Sequence, residues 1–166
     1  MKRLALASLL AAAALLLPAC GGSEEAAAGP CDVKVSGDAG KQPVIEIPDG
    51  CAPPTELQTR DVSAGSGTAA KNGDSVQVNY VGVAWSTKKQ FDSSWGPGRK
   101  PFAVQPLGQA RVIQGWNQGL VGVKTGMRRL LVIPADLAYG NQQQGADIKA
   151  GETLVFVVDI VSVNGK

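Results

Sequence analysis

From residue 55 onward the chain is patterned almost entirely as β-strand. Residues 75–83 alternate valine and tyrosine with polar neighbours, which is the period of a half-buried strand, and an Asn-Gly-Asp turn precedes them. Residues 127–133 and 152–163 are further strands rich in Leu, Val and Ile. Only residues 112–120 space their apolar side chains as a helix does, over one or two turns. The pattern predicts an α+β domain in which antiparallel strands fold over one short helix.

The aromatic residues are few and concentrated. They make up 5% of the chain, and all eight lie between Tyr80 and Phe156. So small a number can line one apolar cleft and little more, which predicts a binding site for a compact hydrophobic group. The absence of histidine argues against ordinary histidine acid–base chemistry there. Trp95 is expected to pack against a loop, and Trp85 has no assigned role. The six whose spacing suggests a shared pocket are Tyr80, Phe91, Phe102, Trp116, Tyr139 and Phe156.

Residues 1–19 have the form of an export signal. Lys2 and Arg3 precede an apolar run over residues 4–17, which is shorter than the ~20 residues of a membrane-spanning helix. The ending Leu-Pro-Ala-Cys resembles a bacterial lipobox, where the signal is cut before the cysteine and the thiol of Cys20 is lipidated. The alternative is an ordinary secretory signal cut near the same place. In both cases the mature chain is exported, and with lipidation it is anchored to the outer face of the cytoplasmic membrane.

Composition divides the chain into three parts. Residues 1–19 are a signal peptide of the lipoprotein type, and residues 20–42 are rich in Gly, Ala, Ser and charge, as a flexible tether is. Residues 43–166 form the folded domain, with a core at about 55–163 and an N-terminal extension. The extension begins with a short extended stretch, residues 43–48, which proline bounds at both ends.

Charge excludes one class of function. Without Lys2 and Arg3, the basic residues fall from 16 to 14 and equal the 14 acidic ones. A chain with no net side-chain charge lacks the strongly basic surface on which nucleic-acid binding depends, so we expect no nucleic-acid partner. Arg128 and Arg129 interrupt an apolar strand, and we expect them to mark its solvent side. No heptad pattern is exposed, so a monomer is expected.

Three cysteines remain to be assigned. If Cys20 carries the lipid, Cys31 and Cys51 are an even pair in an oxidising compartment. A bridge between them would close a loop of about 20 residues and contribute ~3 kcal/mol. A redox-active pair is the alternative, although the spacing is not Cys-x-x-Cys. Two cysteines without histidine make a poor zinc site, so no metal is predicted.

Five segments, taken in order, resemble the FK506-binding-protein (FKBP) family of peptidyl-prolyl cis/trans isomerases. Each alone is a weak signal, but five in the right order with family-like separations are specific. The resemblance covers about residues 55–163 and implies a five- to six-stranded antiparallel sheet curved around one short helix. The leader, tether and cysteine pair also resemble lipoprotein members found in actinobacteria. The segments are residues 78–82, 91–94, 112–116, 137–140 and 153–156.

The resemblance implies roles for individual side chains in one pocket. Trp116 forms the floor, and the hydroxyl of Tyr80 donates a hydrogen bond to Asp92. The hydroxyl of Tyr139 and the backbone N–H of Ile113 contact carbonyls of the bound peptide. The residues with an implied catalytic role are Tyr80, Asp92 and Tyr139. Those with an implied substrate-binding role are Phe91, Phe102, Val112, Ile113, Trp116, Ile148 and Phe156.

Two regions of the chain depart from the family pattern, one at Val104 and one at residues 141–149. Val104 stands where a second phenylalanine often follows Phe102, so one wall of the pocket is less aromatic. Residues 141–145 form a polar, glutamine-rich loop. Lys149 replaces a common proline after Ile148, which matches an apolar position on the loop overhanging the pocket. These changes leave the pocket chemistry in place and bear on substrate preference and macrolide affinity.

A pocket of this composition can accelerate rotation about an X–Pro bond. Amide resonance gives that rotation a barrier of ~18–20 kcal/mol. The planar amide is more polar than the twisted one, so water stabilises the ground state more than the transition state. An apolar pocket that strips water from the carbonyl therefore lowers the barrier. No nucleophile, metal or cofactor is required.

Other interpretations stay open from the residues alone. Trp116, Phe102 and Phe156 could each belong to the core of a small sheet, and Asp92 could cap a turn. The leading hypothesis is an isomerase that assists the folding of exported proteins. Its partners would be proline-containing unfolded or exported polypeptides, with macrolides as candidate inhibitors and contact with the membrane only through the lipid. The alternatives are a peptide-binding chaperone module with little isomerase activity and a thiol–disulfide protein.

Overall fold

A computed structural model describes residues 31–165. The predicted signal peptide, Cys20 and the first part of the predicted tether lie outside these residues. Among the described helices, none is both long enough and apolar enough to cross a bilayer.

Residues 31–165 form eight strands, one short α-helix and one turn of 3₁₀-helix. A six-stranded antiparallel sheet has the order β3-β7-β8-β4-β5, and β6 also pairs with β4; β1 and β2 pair separately as a hairpin. This architecture confirms the predicted α+β fold. The strands are β1 (Lys34–Ser36), β2 (Val44–Glu46), β3 (Gln58–Ser63), β4 (Val76–Ala84), β5 (Gln90–Ser93), β6 (Phe102–Val104), β7 (Arg128–Ile133) and β8 (Leu154–Val163). The helices are α1 (Gln114–Gly119) and the 3₁₀ turn (Ala135–Leu137).

The main sheet is covered on both faces. Successive side chains of a strand point to opposite faces, and β8 separates them cleanly. Leu154, Phe156 and Val158 pack on the face that carries α1, which we call the inner face. Val155 and Val157 pack in a second cluster on the opposite, outer face. Burial on both faces explains why residues 154–158 of β8 are a continuous apolar run instead of an alternating one.

The helix α1 lies close against β7 because glycine faces the sheet. A Cβ atom on Gly115 would come within 2.3 Å of Ile133, and one on Gly119 within 2.8 Å of Leu131. Both glycines therefore permit an approach that a larger residue would prevent. A helix of six residues is unstable alone, so this packing is what keeps it folded.

The β1–β2 hairpin covers the outer face of the sheet. Val33 and Ile47, which flank the hairpin, are 2% and 6% exposed and belong to the outer cluster. A disulfide joins Cys31 to Cys51 across the base of this extension, with 5.7 Å between their Cα atoms, and confirms the predicted pairing. The predicted tether runs to residue 42, but β1 lies within it. The folded part begins earlier than predicted because the valines on either side of Lys34 have an apolar face to cover.

Arg128 is buried, which makes its predicted place on the solvent side wrong. The residue is 2% exposed and pairs with the carboxylate of Asp159 at 2.5 Å. Its guanidinium also donates to the carbonyls of Gly37, Asp38 and Lys41 in the β1–β2 turn, at 2.8, 3.1 and 2.7 Å. The hydrogen bond with Asp159 raises the pKa of Arg128, so the charge is permanent. Arg128 therefore fastens the hairpin to the outer face.

Arg129 fastens the helix α1 to the inner face of the sheet. Its Nη1 donates to the carbonyls of Gly119 and Val121, at 2.9 and 3.0 Å, where α1 has just ended. Its Nε pairs with Asp61 of β3 at 2.6 Å, and the arginine side chain is only 12% exposed. A cation at the C-terminus of a helix satisfies carbonyls that have no intrahelical partner. Two adjacent arginines thus hold one layer to each face of the sheet.

Candidate active site

Aromatic rings converge above α1 on the inner face. The ring of Trp116 lies 5.1 Å from Tyr80, 5.3 Å from Phe156 and 6.1 Å from Phe102, measured between centroids, at interplanar angles of 84–85°. Phe91 meets Phe156 at 5.5 Å and 87°. These are edge-to-face contacts, which aromatic pairs prefer. The indole N–H of Trp116 is buried and has no hydrogen-bond partner among the described residues.

The rings surround an open cleft of about 250 Å³. Every residue with a predicted catalytic or binding role lines it, except Ile148. One further residue, Arg111, lines it as well. Trp85 and Trp95, by contrast, pack in the outer cluster and take no part in the cleft. The lining residues are Tyr80, Phe91, Asp92, Phe102, Arg111, Val112, Ile113, Trp116, Tyr139 and Phe156.

Ile148 lies apart from the cleft lining. It is 7% exposed and packs in the inner cluster, the buried apolar residues of the inner face. Its backbone pairs with Gln144 across the loop, through N–H···O distances of 2.9 and 3.3 Å. The structure places this side chain in the core because the Gln144–Ile148 bridge closes the loop on itself. Its predicted contact with substrate stays a prediction.

Tyr80 and Asp92 form the polar wall of the cleft. The Tyr80 hydroxyl donates to Oδ2 of Asp92 at 2.5 Å. The other oxygen, Oδ1, accepts the backbone N–H of Ser93 at 2.8 Å and lies 3.6 Å from the guanidinium of Arg99. Burial, and then the hydrogen bond to Asp92, raise the pKa of Tyr80 above its usual value of 10. Tyr80 is therefore a protonated donor committed to Asp92, and the carboxylate has three partners.

The strand pairing of β4 and β5 fixes that wall. Ser94 is buried; its Oγ accepts the backbone N–H of Tyr80 at 2.9 Å and donates to Oδ1 of Asn79 at 3.0 Å. The backbone N–H of Ser94 donates in turn to the carbonyl of Tyr80 at 3.0 Å. The Asp-Ser-Ser segment thus holds the backbone at Tyr80 while its aspartate holds the side chain.

Besides the guanidinium of Arg111 and the buried indole N–H of Trp116, two hydrogen-bond donors at the cleft have no partner within residues 31–165. They are the hydroxyl of Tyr139 and the backbone N–H of Ile113. Tyr139 is 39% exposed. Ile113 precedes α1 with an extended backbone, at φ −59° and ψ 148°, so its N–H lies outside the helix hydrogen bonding. Both donors can bind carbonyls of a peptide that enters the cleft.

Arg111 is the functional candidate that the sequence analysis missed. Its side chain is exposed at the cleft, one residue before the Val-Ile pair of the lining. A single arginine in a turn is common on protein surfaces. The only signal for it in the sequence is its place beside Val112.

The outer face has a larger recess, but its one guanidinium already has partners. It has a volume of about 450 Å³ and lies between Val33 and strands β3 and β7. Its one guanidinium, from Arg60, already pairs with Asp32 at 3.6 Å and donates to the carbonyl of Val33. Residues 31–165 also contain no group of three His, Cys, Asp or Glu side chains that could hold a metal ion. The aromatic cleft is therefore the candidate active site.

Comparison with known proteins assigns the fold and the cleft together. Residues 66–161 match the family described as FKBP-type peptidyl-prolyl cis-trans isomerase. The chain belongs to this family. The match contains the whole cleft lining, from Tyr80 to Phe156, and it makes the protein an isomerase of X–Pro bonds. The chaperone alternative is not favoured.

Individual FKBP relatives are similar over most of the chain. An FK506-binding protein of Streptomyces anulatus is 48% identical over 124 residues, which cover 74% of this chain and 98% of the relative. A probable FK506-binding protein of Corynebacterium glutamicum is 42% identical over 123 residues, with coverage of 74% and 98%. FK506-binding protein 1A of Neurospora crassa is 43% identical over 110 residues, with coverage of 66% and 89%.

Proposed function

We propose that this FKBP-type isomerase acts on exported, proline-containing polypeptides at the outer face of the cytoplasmic membrane, held there by a lipid on Cys20. The observation that supports the enzymatic part most strongly is the cleft itself. Rings close its base, a carboxylate with three partners lies on one wall, and two free donors lie at its edge. The disulfide between Cys31 and Cys51 supports export, because such bonds persist in oxidising compartments.

In this proposal the substrate's proline ring packs on Trp116. The hydroxyl of Tyr139 and the N–H of Ile113 bind carbonyls of the peptide and hold the chain while the X–Pro bond turns. The surrounding rings exclude water from the amide carbonyl, which destabilises the polar planar form relative to the twisted one. Each ~1.4 kcal/mol gained in this way speeds the exchange tenfold. The Tyr80–Asp92 bond keeps the Tyr80 ring in place against Trp116.

The Tyr80–Asp92 pair provides the test of the enzymatic mechanism. We expect Tyr80→Phe and Asp92→Val each to lower kcat/KM roughly 10- to 150-fold, since a hydrogen bond to a charged group contributes roughly 1.5–3 kcal/mol. The measurement is a proline-limited refolding assay with the purified full-length protein, with and without FK506, which we propose competes for the same cleft. Circular dichroism monitors folding. If Asp92→Val unfolds the domain while the folded fraction keeps normal specific activity, the aspartate is structural.

The fold also gives the proposed anchor an orientation. The first described residue, Cys31, packs on the outer face, whereas the cleft opens on the inner side of the sheet. Cys31 lies eleven positions after Cys20 in the chain, a separation that spans at most ~40 Å. A lipid on Cys20 would therefore attach the domain through the face opposite the cleft and leave the cleft open to clients.

Anchoring has its own test. We expect the wild-type protein to fractionate with the membrane and to carry diacylglyceryl mass on Cys20. We expect Cys20→Ala to lose that mass and, once the leader is cut, to appear in the soluble exported fraction. Cys31→Ser is the matched control, because it also removes one thiol but leaves the lipobox intact. A wild-type protein without added lipid mass would contradict the anchor and leave the isomerase activity untouched.

A further inference from the structure

We propose that Arg111 gives the cleft a preference for substrates that carry aspartate or glutamate within two residues of the proline. This preference rests on the proposed function, since it concerns the peptides that the isomerase turns over. It identifies the chemistry of the preferred substrate segment, an acidic side chain beside an X–Pro bond, and assigns the selection to one residue of this chain.

The negative charge at the cleft is already paired, whereas the positive charge of Arg111 is not. Asp92 and Arg111 are the two charged residues of the lining. The carboxylate of Asp92 already has Tyr80, the Ser93 N–H and Arg99 as partners. The guanidinium of Arg111 makes no ion pair and no hydrogen bond with any described residue. A carboxylate is the group that a free guanidinium binds best, through two parallel N–H···O bonds.

A buried amide fixes the backbone from which Arg111 projects. Asn117 of α1 is 2% exposed. Its side chain hydrogen-bonds both backbone polar groups of Ala110, the residue immediately before Arg111. The Ala110 N–H donates to Oδ1 at 3.0 Å, and Nδ2 donates to the Ala110 carbonyl at 3.1 Å. The N–H of Val112 donates to the same carbonyl at 2.8 Å. The backbone on both sides of Arg111 is thus held against the helix, next to the free N–H of Ile113.

This placement puts the positive charge beside the substrate chain. A peptide carbonyl bound by the Ile113 N–H lies two residues along the backbone from Arg111. An acidic side chain near the proline can therefore reach the guanidinium while the proline ring occupies the aromatic base. Since Arg111 is exposed, the pair is solvated, and its expected effect is a roughly two- to fivefold preference in kcat/KM. Salt should weaken it, because the screening length falls from ~10 Å at 0.1 M to ~3 Å at 1 M.

The test compares matched proline peptides that differ in one side chain. Full-length protein is assayed with Glu, Gln and Lys peptides, the variable residue placed before or after the X–Pro pair. The wild type should favour Glu over Gln at low salt, with the ratio approaching one in 1 M salt. Arg111→Gln should remove the preference, and Arg111→Glu should turn it towards Lys. Lys34→Gln, which removes one exposed positive charge from the outer hairpin, should keep the wild-type ratio.

Two outcomes would overturn the preference alone, and a third would also overturn the proposed function. Equal kcat/KM for the Glu and Gln peptides with the wild type overturns it, and so does a Glu preference that survives in Arg111→Gln. Both leave the isomerase function standing, because the Gln peptide is still turned over. Failure to turn over any of the peptides would instead overturn the proposed function, and the preference with it.

Discussion

Replacing Arg128 with methionine is expected to lower the free energy of unfolding by roughly 3–5 kcal/mol. The side chains of Arg128 and Asp159 are 3% and 14% exposed, so the substitution leaves a carboxylate largely buried without its cation. The carbonyls of Gly37, Asp38 and Lys41 lose a donor at the same time. Urea unfolding of the purified protein, followed by tryptophan fluorescence, measures the change.

Two variants separate the buried pair from a general effect of losing arginine. Arg60→Met makes the same substitution in β3, where the arginine side chain is 48% exposed and its partner Asp32 is 82% exposed. Such a surface pair contributes about 0–1 kcal/mol. Adding Asp159→Leu to Arg128→Met should recover part of the loss, since it removes the unpaired charge. A loss below about 1 kcal/mol for Arg128→Met alone would show that the hairpin does not depend on this anchor.

The paired arginines show where a local pattern stops being informative. Charged residues beside an apolar run are usually solvated, and the sequence around Arg128 and Arg129 contains nothing that contradicts this. The carboxylate partner of Arg128 lies 31 residues later, and its three carbonyl partners come from the hairpin, about 90 residues earlier in the chain. Only the fold shows that a second layer covers the outer face, so neither the burial nor the hydrogen bonds could be predicted locally.

Strands were predictable in proportion to their burial. The long central strands β4, β7 and β8 appear as segments rich in Val, Leu and Ile, because one or both of their faces must be covered. The edge strand β3 is mostly exposed and its sequence, QTRDVS, has no regular alternation, while β6 has only three residues. Those two form through pairing with β7 and β4, and no local signal replaces that pairing.

The cleft was predictable because its chemistry depends on rare residue types in fixed order. Aromatic rings and the Phe-Asp-Ser-Ser segment are conspicuous in a chain that is 5% aromatic. Arg111 is not rare and belongs to no motif, so it went unnoticed. The resemblance predicts Ile148 on the loop over the opening. How deeply its side chain is buried depends on the pairing of Ile148 with Gln144, which the sequence alone does not predict. The need for glycine at residue 82 is likewise not predictable from the sequence, because it depends on where the rings of Phe91 and Phe156 lie.

Gly82→Ala is expected to lower kcat/KM at least tenfold while costing roughly 1–3 kcal/mol of stability. A Cβ atom at this position in β4 would lie 2.7 Å from the ring of Phe91 and 2.8 Å from that of Phe156. Aromatic rings cannot fold out of the way as a flexible chain end does, so one or both must shift. Both line the cleft, and Phe156 also contacts Trp116. The added methyl group therefore changes the shape of the cleft without removing any polar group. Activity and unfolding free energy are measured on the same preparation.

Gly119→Ala is the matched control, because it adds the same methyl group to the same core. There the new Cβ would lie 2.8 Å from Cδ2 of Leu131, the flexible end of a side chain that does not line the cleft. We expect a similar cost in stability and a kcat/KM within about threefold of wild type. If both glycine variants lose activity equally, the loss follows from destabilisation. If Gly82→Ala stays folded and fully active, the arrangement of Phe91 and Phe156 does not determine the rate. Catalysis would then depend on the other walls of the cleft, because a rotating X–Pro bond can be accelerated only where the pocket fits its twisted form better than its planar one.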